Sequence, residues 1–280
     1  MLYPASTIHQ PSSSIQHPVS SIQLLKNHVS LLHMSQYAHD TVVPYKDSEL
    51  GKKQQVAGMF NDIAYRYDFL NRFLSAGIDI RWRKKAIMQL QKLQPKIILD
   101  VATGTADVAI MASSILKPQK ITGIDISDGM LDVGRKKIQK IGLQNTIELL
   151  NGDCETINFK NESFDAVTVA FGVRNFENLE KGLSEILRVL KPGGKLVVLE
   201  FSKPKSAVVK SIYNLYMKFI TPNVGKIFSK NRNAYQYLDE SINKFPEGKN
   251  FTAILDNLGY RNTYNKPLSL GICSIYCGEK

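Results

Sequence analysis

Two acids that flank a turn of small residues are the part of this sequence best suited to chemistry. Asp100 lies near the end of the apolar stretch 97–101, Gly104 is at the centre of the turn, and Asp125 follows about 20 residues later. A buried strand that ends in small residues lets a ligand reach backbone amides, and an acid at that distance can bind a ribose. The pattern predicts a nucleoside pocket, although it is equally typical of an ordinary strand, turn and helix.

The single glycine of this turn indicates which nucleoside the pocket would take. Proteins that bind a dinucleotide pyrophosphate have a G-x-G-x-x-G run here, whereas this turn reads A-T-G-T-A-D. A ligand without phosphates fits such a turn better. The sequence therefore favours S-adenosylmethionine as the cofactor, and an NAD-dependent or regulatory nucleotide-binding protein stays open as an alternative.

The composition is that of a globular protein with an excess of positive charge. Hydrophobic residues make up 43% of the 280 positions, and no apolar run approaches the roughly 18 residues of a membrane-spanning helix. The net charge is +11, and Lys26 is the only lysine, arginine or acid before Asp40. Such an excess favours an anionic partner, either nucleic acid or an anionic membrane surface.

Histidine and cysteine usage limits the chemistry further. All five histidines lie in the first 39 residues, so residues 40–280 can form neither a histidine-based triad nor most zinc sites, and we predict no metal. The cysteines are odd in number, and Cys273 and Cys277 on one strand would lie roughly 13 Å apart, too far for a disulfide. A reducing compartment is the simplest interpretation.

Apolar runs alternate with helical patterns, which predicts an α/β fold with a doubly wound, mostly parallel sheet. Besides the strand that ends at Asp125, the expected strands cover 97–101, 146–150, 164–171, 195–201, 260–265 and 268–277. The expected helices among them cover 128–141, 179–190 and 246–258. The last two strands follow each other closely, which predicts an antiparallel hairpin that completes the sheet.

Residues 1–39 contain no acid and many serines, and they are predicted to be a disordered extension. Two helical segments flank the nucleoside region. Residues 40–94 of the single domain 40–280 have apolar positions at helical spacing and form either an ordinary amphipathic helix or a lid. Residues 203–245 form a basic insertion that can bind RNA, cover a lipid-like substrate or present a solvated face. The basic run 81–85 around Trp82 is expected to be a solvated helix face.

Five motifs together resemble the quinone-biosynthesis C-methyltransferases. They are YRYDFLNRFLSAGIDIRWRK, DVATGTAD, ITGIDISDGML, AFGVRN and RVLKPGGKLVVLEFSKP, and the resemblance extends from about Tyr37 to the C-terminus. It implies a class I S-adenosylmethionine-dependent methyltransferase fold with a seven-stranded sheet. It also implies C-methylation of demethylmenaquinol to menaquinol, with benzoquinol methylation in ubiquinone biosynthesis as the alternative within the family.

The resemblance also implies residues that bind the cofactor. Thr105 lies in the turn, Asp125 binds the ribose hydroxyls, and Asp153 with Cys154 flanks the adenine. The whole set of candidate cofactor-binding residues is Asp100, Gly104, Thr105, Asp125, Met130, Asp153, Cys154 and Ala170.

The turn departs from the family pattern, since Thr103 and Ala106 stand where relatives usually have glycine. Ala170 stands where relatives often have serine. A methyl group at Ala106 narrows the approach of the following helix, so this is a place to look for altered affinity.

Methylation of a quinol requires a nucleophilic ring carbon, which forms when the adjacent hydroxyl loses a proton. Arginine stays protonated in proteins, so we expect Arg174 to stabilise the developing phenolate or to polarise a water that takes the proton. Tyr67 is the second candidate catalytic residue, as a hydrogen-bond partner of the ring oxygen or of that water.

The expected substrate is a polyprenylated quinol, and its tail needs apolar cover from the segments 40–94 and 203–245. We therefore expect a cytoplasmic enzyme that works at the inner face of a membrane and binds no nucleic acid. A homo-oligomer is compatible with the sequence. An RNA methyltransferase stays open as an alternative because of the charge.

Overall fold

The computed structural model describes residues 37–204, 206, 211 and 232–280, and within them seven α-helices and seven strands. The helices are α1 (Lys52–Leu74), α2 (Ile78–Ile87), α3 (Asp107–Leu116), α4 (Asp128–Lys140), α5 (Leu179–Val189), α6 (Arg232–Lys244) and α7 (Lys249–Asn257). The strands are β1 (Ile97–Val101), β2 (Lys120–Asp125), β3 (Ile147–Asn151), β4 (Phe164–Ala170), β5 (Leu190–Phe201), β6 (Arg261–Leu268) and β7 (Cys273–Glu279).

The strands form one sheet in the order β3-β2-β1-β4-β5-β7-β6. β1 to β5 pair in parallel, whereas β7 is antiparallel to both β5 and β6. Along the chain the strands run outward from β1 to β3 and then return to β4 on the other side of β1. The order reverses between β1 and β4, and in such sheets ligands bind beyond the carboxyl ends of the strands at that point. The predicted seven-stranded, mostly parallel sheet is confirmed.

The central strands are apolar on both faces because helices cover both faces of the sheet. Ile98 packs in a cluster with side chains of α2, α3 and α4, while its neighbour Leu99 packs in a second cluster with side chains of α5 and α7. Both residues are fully buried. Ser127 caps α4 by accepting a hydrogen bond from the Met130 amide.

The boundaries of β5 and β6 differ from the predicted ones at proline and glycine residues. β5 begins at Leu190 rather than at residue 195, because the Lys-Pro-Gly-Gly stretch continues the strand through a shifted register and a left-handed Gly193 (φ 75°). β6 continues through Pro267, where the sequence predicts a break. Proline is tolerated there because β6 is the outermost strand, and an edge strand leaves one row of amides unpaired.

The basic run 81–85 is solvated only in part, so the expected solvated face is wrong for two of its residues. Arg81 and the two lysines are exposed, but Trp82 and Arg83 are each only 5% exposed. Trp82 packs in the core and its Nε1 donates to the Ser269 hydroxyl at 2.8 Å. α2 therefore turns one cation inward, toward the edge of the sheet where the cofactor is expected.

The part of the chain that packs on the domain includes residues before Asp40. The Tyr37 hydroxyl donates to Glu180 at 2.6 Å, and His39 is fully buried with its ring against Phe245. Burial lowers the pKa of His39 to about 3, so its imidazole is neutral at physiological pH. Residues 37–39, assigned to the extension from sequence, thus pack on the domain. Residues 1–36 and most of the basic insertion lie outside the described residues.

None of the described helices has the length and apolar character that crossing a membrane would require.

Candidate active site

The carboxyl ends of the parallel strands border a crevice with two adjoining cavities. The larger, of about 640 Å³, opens to solvent and is lined by α1, the turn after β1, the end of β2 and the loops after β3 and β4. The smaller, of about 360 Å³, lies against the same turn and α2. The residues that line both cavities are Tyr67, Ala102, Gly104, Ala170 and Phe171. Every residue predicted for the site lines one of the cavities except Arg174.

The turn after β1 is held in a left-handed conformation by the acids that flank it. Ala102, Gly104 and Ala106 all have positive φ, and the Gly104 amide donates to Asp125 Oδ2 at 2.8 Å. Asp100 accepts from the hydroxyls of Thr103 (2.6 Å) and of Thr168 on β4. These bonds fix β1, the turn and β4 relative to one another, so the first role of Asp100 is to shape the site.

Asp125 lies at the end of β2 and faces the larger cavity. Its second oxygen, Oδ1, accepts from the Ser127 amide at 2.9 Å, and burial raises the pKa of the carboxyl above its ordinary value. Each carboxylate oxygen can accept more than one hydrogen bond. Asp125 is therefore held rigidly and still has acceptor capacity for the hydroxyls of a ribose.

The loop after β3 supplies Asp153, Cys154 and Glu155 to the far end of the larger cavity, and Lys53 of α1 joins them. The Lys53 ammonium lies 2.7 Å from Asp153 and 2.9 Å from Glu155. Burial alone would lower the pKa of Lys53, but these two carboxylates raise it to about 12. One carboxylate oxygen each of Asp153 and Glu155 and the Sγ atom of Cys154 lie within 4.8 Å of one another. Lys53 supplies positive charge that balances the two carboxylates. Burial raises the pKa of the Cys154 thiol, which keeps it protonated.

α1 forms one wall of the crevice. Lys53, Val56, Phe60 and Tyr67 recur at helical spacing and all line the larger cavity. Asn61 Oδ1 ties the helix to the start of α4 by accepting from the Gly129 amide at 2.9 Å. α1 thus borders the crevice, and its role as a lid stays a prediction.

Tyr67, the second candidate catalytic residue, lines both cavities. Its ring packs edge-on against Phe60, with the centroids 5.8 Å apart. Burial raises the pKa of its hydroxyl, whereas a hydrogen bond with Asn71 and the charge of Arg174 lower it. The hydroxyl therefore stays protonated near neutral pH and acts as a hydrogen-bond donor.

Thr105 faces the smaller cavity, where it links the turn to the flanking helices. Its hydroxyl donates to Asp68 of α1, and Lys137 of α4 lies 2.8 Å from the same carboxylate. Thr105 is 2% exposed. The structure thus places Thr105 at the cofactor turn, with its hydroxyl proton already donated within the protein.

Arg174 lies behind the wall of the crevice and lines neither cavity. It is 5% exposed, and its Nη1 donates to Glu200 at 2.6 Å and to the Phe171 carbonyl at 2.8 Å. Glu200 is fully buried, which raises the pKa of its carboxyl. Arg174 was predicted to stabilise the developing phenolate or to polarise a water that takes the proton. The structure places it in a buried ion pair with Glu200, so its charge reaches the crevice only through the residues that lie between.

Lys53, Asn175 and Arg83 line the cavities but are absent from the predicted set. Asn175 follows Arg174 and accepts a hydrogen bond from the Tyr237 hydroxyl at 3.0 Å, which brings α6 to the crevice. Lys53 could have been found, because it shares a helical face with Tyr67. Arg83 could not, because the other cations of its run, Arg81, Lys84 and Lys85, are exposed.

One of the three departures from the family pattern, Ala106, falls on a residue with an unusual backbone conformation. Ala106 is fully buried with φ 66°, and a glycine there would adopt this conformation without steric cost. The Ala106 methyl group lies close to Gly134 of α4, where an added Cβ would be 3.4 Å away. The Ala106 methyl group thus faces α4, whereas the prediction placed the narrowing at the following helix, α3.

Comparisons with known proteins agree with this geometry. The sequence model of the ubiE/COQ5 methyltransferase family matches residues 48–280. The demethylmenaquinone methyltransferase of Bacteroides fragilis is 45% identical over 245 residues, which cover 87% of this chain and 99% of that protein. The ubiquinone/menaquinone biosynthesis C-methyltransferase UbiE of Geobacter sulfurreducens is 42% identical, over 91% of this chain and 99% of that protein.

Solved structures support the fold alone. The S-adenosylmethionine-dependent methyltransferase of Thermotoga maritima superposes with a TM-score of 0.55 over 80% of this chain and 98% of that one, at 16% identity.

Proposed function

The chain belongs to the ubiE/COQ5 methyltransferase family, and from that premise we propose that it transfers a methyl group from S-adenosylmethionine to a ring carbon of demethylmenaquinol. The observation that carries the proposal is the 45% identity to a demethylmenaquinone methyltransferase over nearly the whole of that protein. The crevice at the carboxyl ends of β1 and β4 supplies a site of suitable chemistry.

The residues of the larger cavity fit the cofactor. S-adenosylmethionine supplies an electrophilic methyl group on a sulfonium ion. Asp125 would hold the ribose hydroxyls, while Asp153, Cys154 and Met130 would surround the adenine. Gly104 supports this assignment, because a Cβ added there would meet no protein atom within 4 Å, so the turn is open where a ligand would approach.

Tyr67 and Asn175 are the polar side chains suited to orient the quinol ring. The protonated Tyr67 hydroxyl can donate to the ring oxygen on which negative charge develops. Arg174 adds its charge to the same region from behind the wall, as its effect on the pKa of Tyr67 indicates. Since no contact with substrate is required of it, Arg174 is a positioning residue in this proposal.

The tail of the substrate supports a site of action at a membrane surface. Tyr65 and Phe69 lie on the outer side of α1 and are 94% and 57% exposed. Aromatic side chains with polar neighbours suit a headgroup interface, and the net charge of +11 favours anionic lipid. We extend the proposal to reversible contact of the cytoplasmic enzyme with the inner face of a membrane.

Transfer of labelled methyl from S-adenosylmethionine tests the proposal. Demethylmenaquinol and demethylated benzoquinol with equal tails are offered to the purified protein, with and without anionic vesicles, and bulk RNA serves as a control acceptor. We expect label in the naphthoquinol, faster with vesicles. Label in RNA, or in neither quinol, would contradict the assigned reaction, whereas label in the benzoquinol alone would reassign the substrate within the family.

A further inference from the structure

Tyr237 of α6 is a buried residue whose hydroxyl bonds to a side chain of the crevice. It is 3% exposed, and its ring packs in a cluster with Val42, Val56 and Met59. The hydroxyl donates to Asn175 Oδ1 at 3.0 Å, and Asn175 lines the larger cavity. Tyr237 itself lines neither of the two cavities. It therefore acts on the crevice through Asn175, while its ring belongs to the packing behind the wall.

The contacts of Asn175 fix which end of its amide faces Tyr237. Asn175 Nδ2 donates to the Phe171 carbonyl at 3.4 Å, and a carbonyl oxygen can only accept. Burial raises the pKa of Tyr237, so its hydroxyl keeps its proton at neutral pH and can donate. An amide has one acceptor oxygen and one donor nitrogen, so the oxygen faces Tyr237 and the nitrogen faces Phe171. In the flipped amide the oxygen would lie against the Phe171 carbonyl and be repelled.

This orientation leaves a donor for a ligand. The amide nitrogen has two N–H groups, and the Phe171 carbonyl takes one of them over a long distance. The same carbonyl already accepts from Arg174 at 2.8 Å. Among the residues that the structure describes, none other accepts from the Asn175 amide. The remaining N–H is thus the group that Asn175 offers to a molecule in the larger cavity.

We infer that Tyr237 is a positioning residue for the methyl acceptor, because its hydroxyl holds the Asn175 amide with the NH2 group available to the quinol ring oxygen. The inference rests on the proposed methylation of a quinol. Asn175 then joins Tyr67 in donating to the oxygen on which negative charge develops. A flipped amide would present its own oxygen to that charge. The hydroxyl of Tyr237 should therefore matter more in the transition state than in the bound ground state.

Steady-state kinetics with demethylmenaquinol test this assignment. Tyr237→Phe keeps the ring and its packing and removes only the hydroxyl, Asn175→Ala removes the amide, and a third variant combines the two. Tyr260→Phe is the matched control, because Tyr260 is also 3% exposed and its hydroxyl donates to the Leu183 carbonyl at 2.8 Å, away from both cavities. Affinity for S-adenosylhomocysteine by calorimetry and the urea midpoint are measured for every variant.

We expect Tyr237→Phe to lower kcat roughly tenfold, with a smaller change in the KM of the quinol and no change in affinity for S-adenosylhomocysteine. The control should lower the urea midpoint by a similar amount and keep full turnover. In the Asn175→Ala background, Tyr237→Phe should lower kcat no further, because the hydroxyl then has no amide to hold.

Two results would overturn the assignment. Full turnover in Tyr237→Phe is one, and losses that multiply in the combined variant are the other, because they would show that the hydroxyl does not act through Asn175. An equal loss of turnover in Tyr260→Phe would also count against it, since lowered stability would then explain both variants. A wild-type protein that methylates no quinol would instead contradict the proposed function.

Discussion

Arg83 and Arg174 occupy similar surroundings on two sides of the crevice. Each is 5% exposed, each pairs with a buried acid, and each guanidinium lies over a phenylalanine ring, at 5.7 Å and 5.5 Å from the centroid. They differ in one respect, because Arg83 lines a cavity and Arg174 does not. Burial and ion pairing are therefore the same for an arginine that borders the crevice and for one that does not, and only contact with the cavity distinguishes them.

The largest change in stability is expected when Arg174 is removed. Arg174→Ala leaves Glu200 buried without its partner, so we expect a loss of about 3 to 5 kcal/mol in the free energy of unfolding, measured by urea denaturation. Arg174→Leu combined with Glu200→Leu should recover most of this loss.

The double variant also separates stability from catalysis. If the charge of Arg174 assists the reaction, the stable double variant keeps its affinity for S-adenosylhomocysteine but has a lower turnover. Full turnover would remove Arg174 from the mechanism.

A second prediction concerns Asp100, which lines the same cavity as Arg83. The pKa of Asp100 is about 6 in the folded protein and about 3.9 in an unfolded chain, so the folded state holds this proton more tightly. The contribution of Asp100 to stability is therefore greatest below pH 4, falls between pH 4 and 6, and is constant above. Relative to Asp100→Asn, the wild type should lose about 2 to 3 kcal/mol over that window. Parallel stability curves for the two proteins would show that Asp100 does not titrate there.

The smallest change in stability is expected at Gly104, in the turn after β1. Gly104 has φ 55°, and an added Cβ would meet no protein atom within 4 Å, so Gly104→Ala should destabilise by only about 1 kcal/mol of backbone strain. The methyl group would project toward the ligand, so cofactor affinity should fall by more than the stability does. Ala106→Gly is the control, since it relaxes a left-handed residue that lines neither cavity. Unchanged affinity in Gly104→Ala would place the ligand elsewhere.

The sequence identified the residues whose placement depends on local structure. Asp100, Gly104 and Asp125 are set by a strand, a turn and the next strand, so their spacing predicts their positions. The α/β alternation predicts the sheet for the same reason. These residues are found at the carboxyl edge of the sheet, as predicted.

Residues whose position depends on distant contacts were misjudged. Arg83 lies in a run with three exposed cations, and only the packing of α2 against α3 and β5 turns it inward. Arg174 follows β4, a favourable place for a catalytic residue, yet it pairs with Glu200 on β5. No local pattern reports such a pairing, because the two residues meet only after the sheet forms.

Phe171 limits how this site can evolve. Its ring borders both cavities while its backbone is left-handed, at φ 58°, a conformation that a bulky side chain adopts only under constraint. Glycine would relax the backbone but would remove the partition and the surface on which Arg83 rests. Replacing Phe171 by glycine would therefore gain stability only at the cost of the side chain that separates the two cavities. Selection for activity should for this reason keep Phe171 in place.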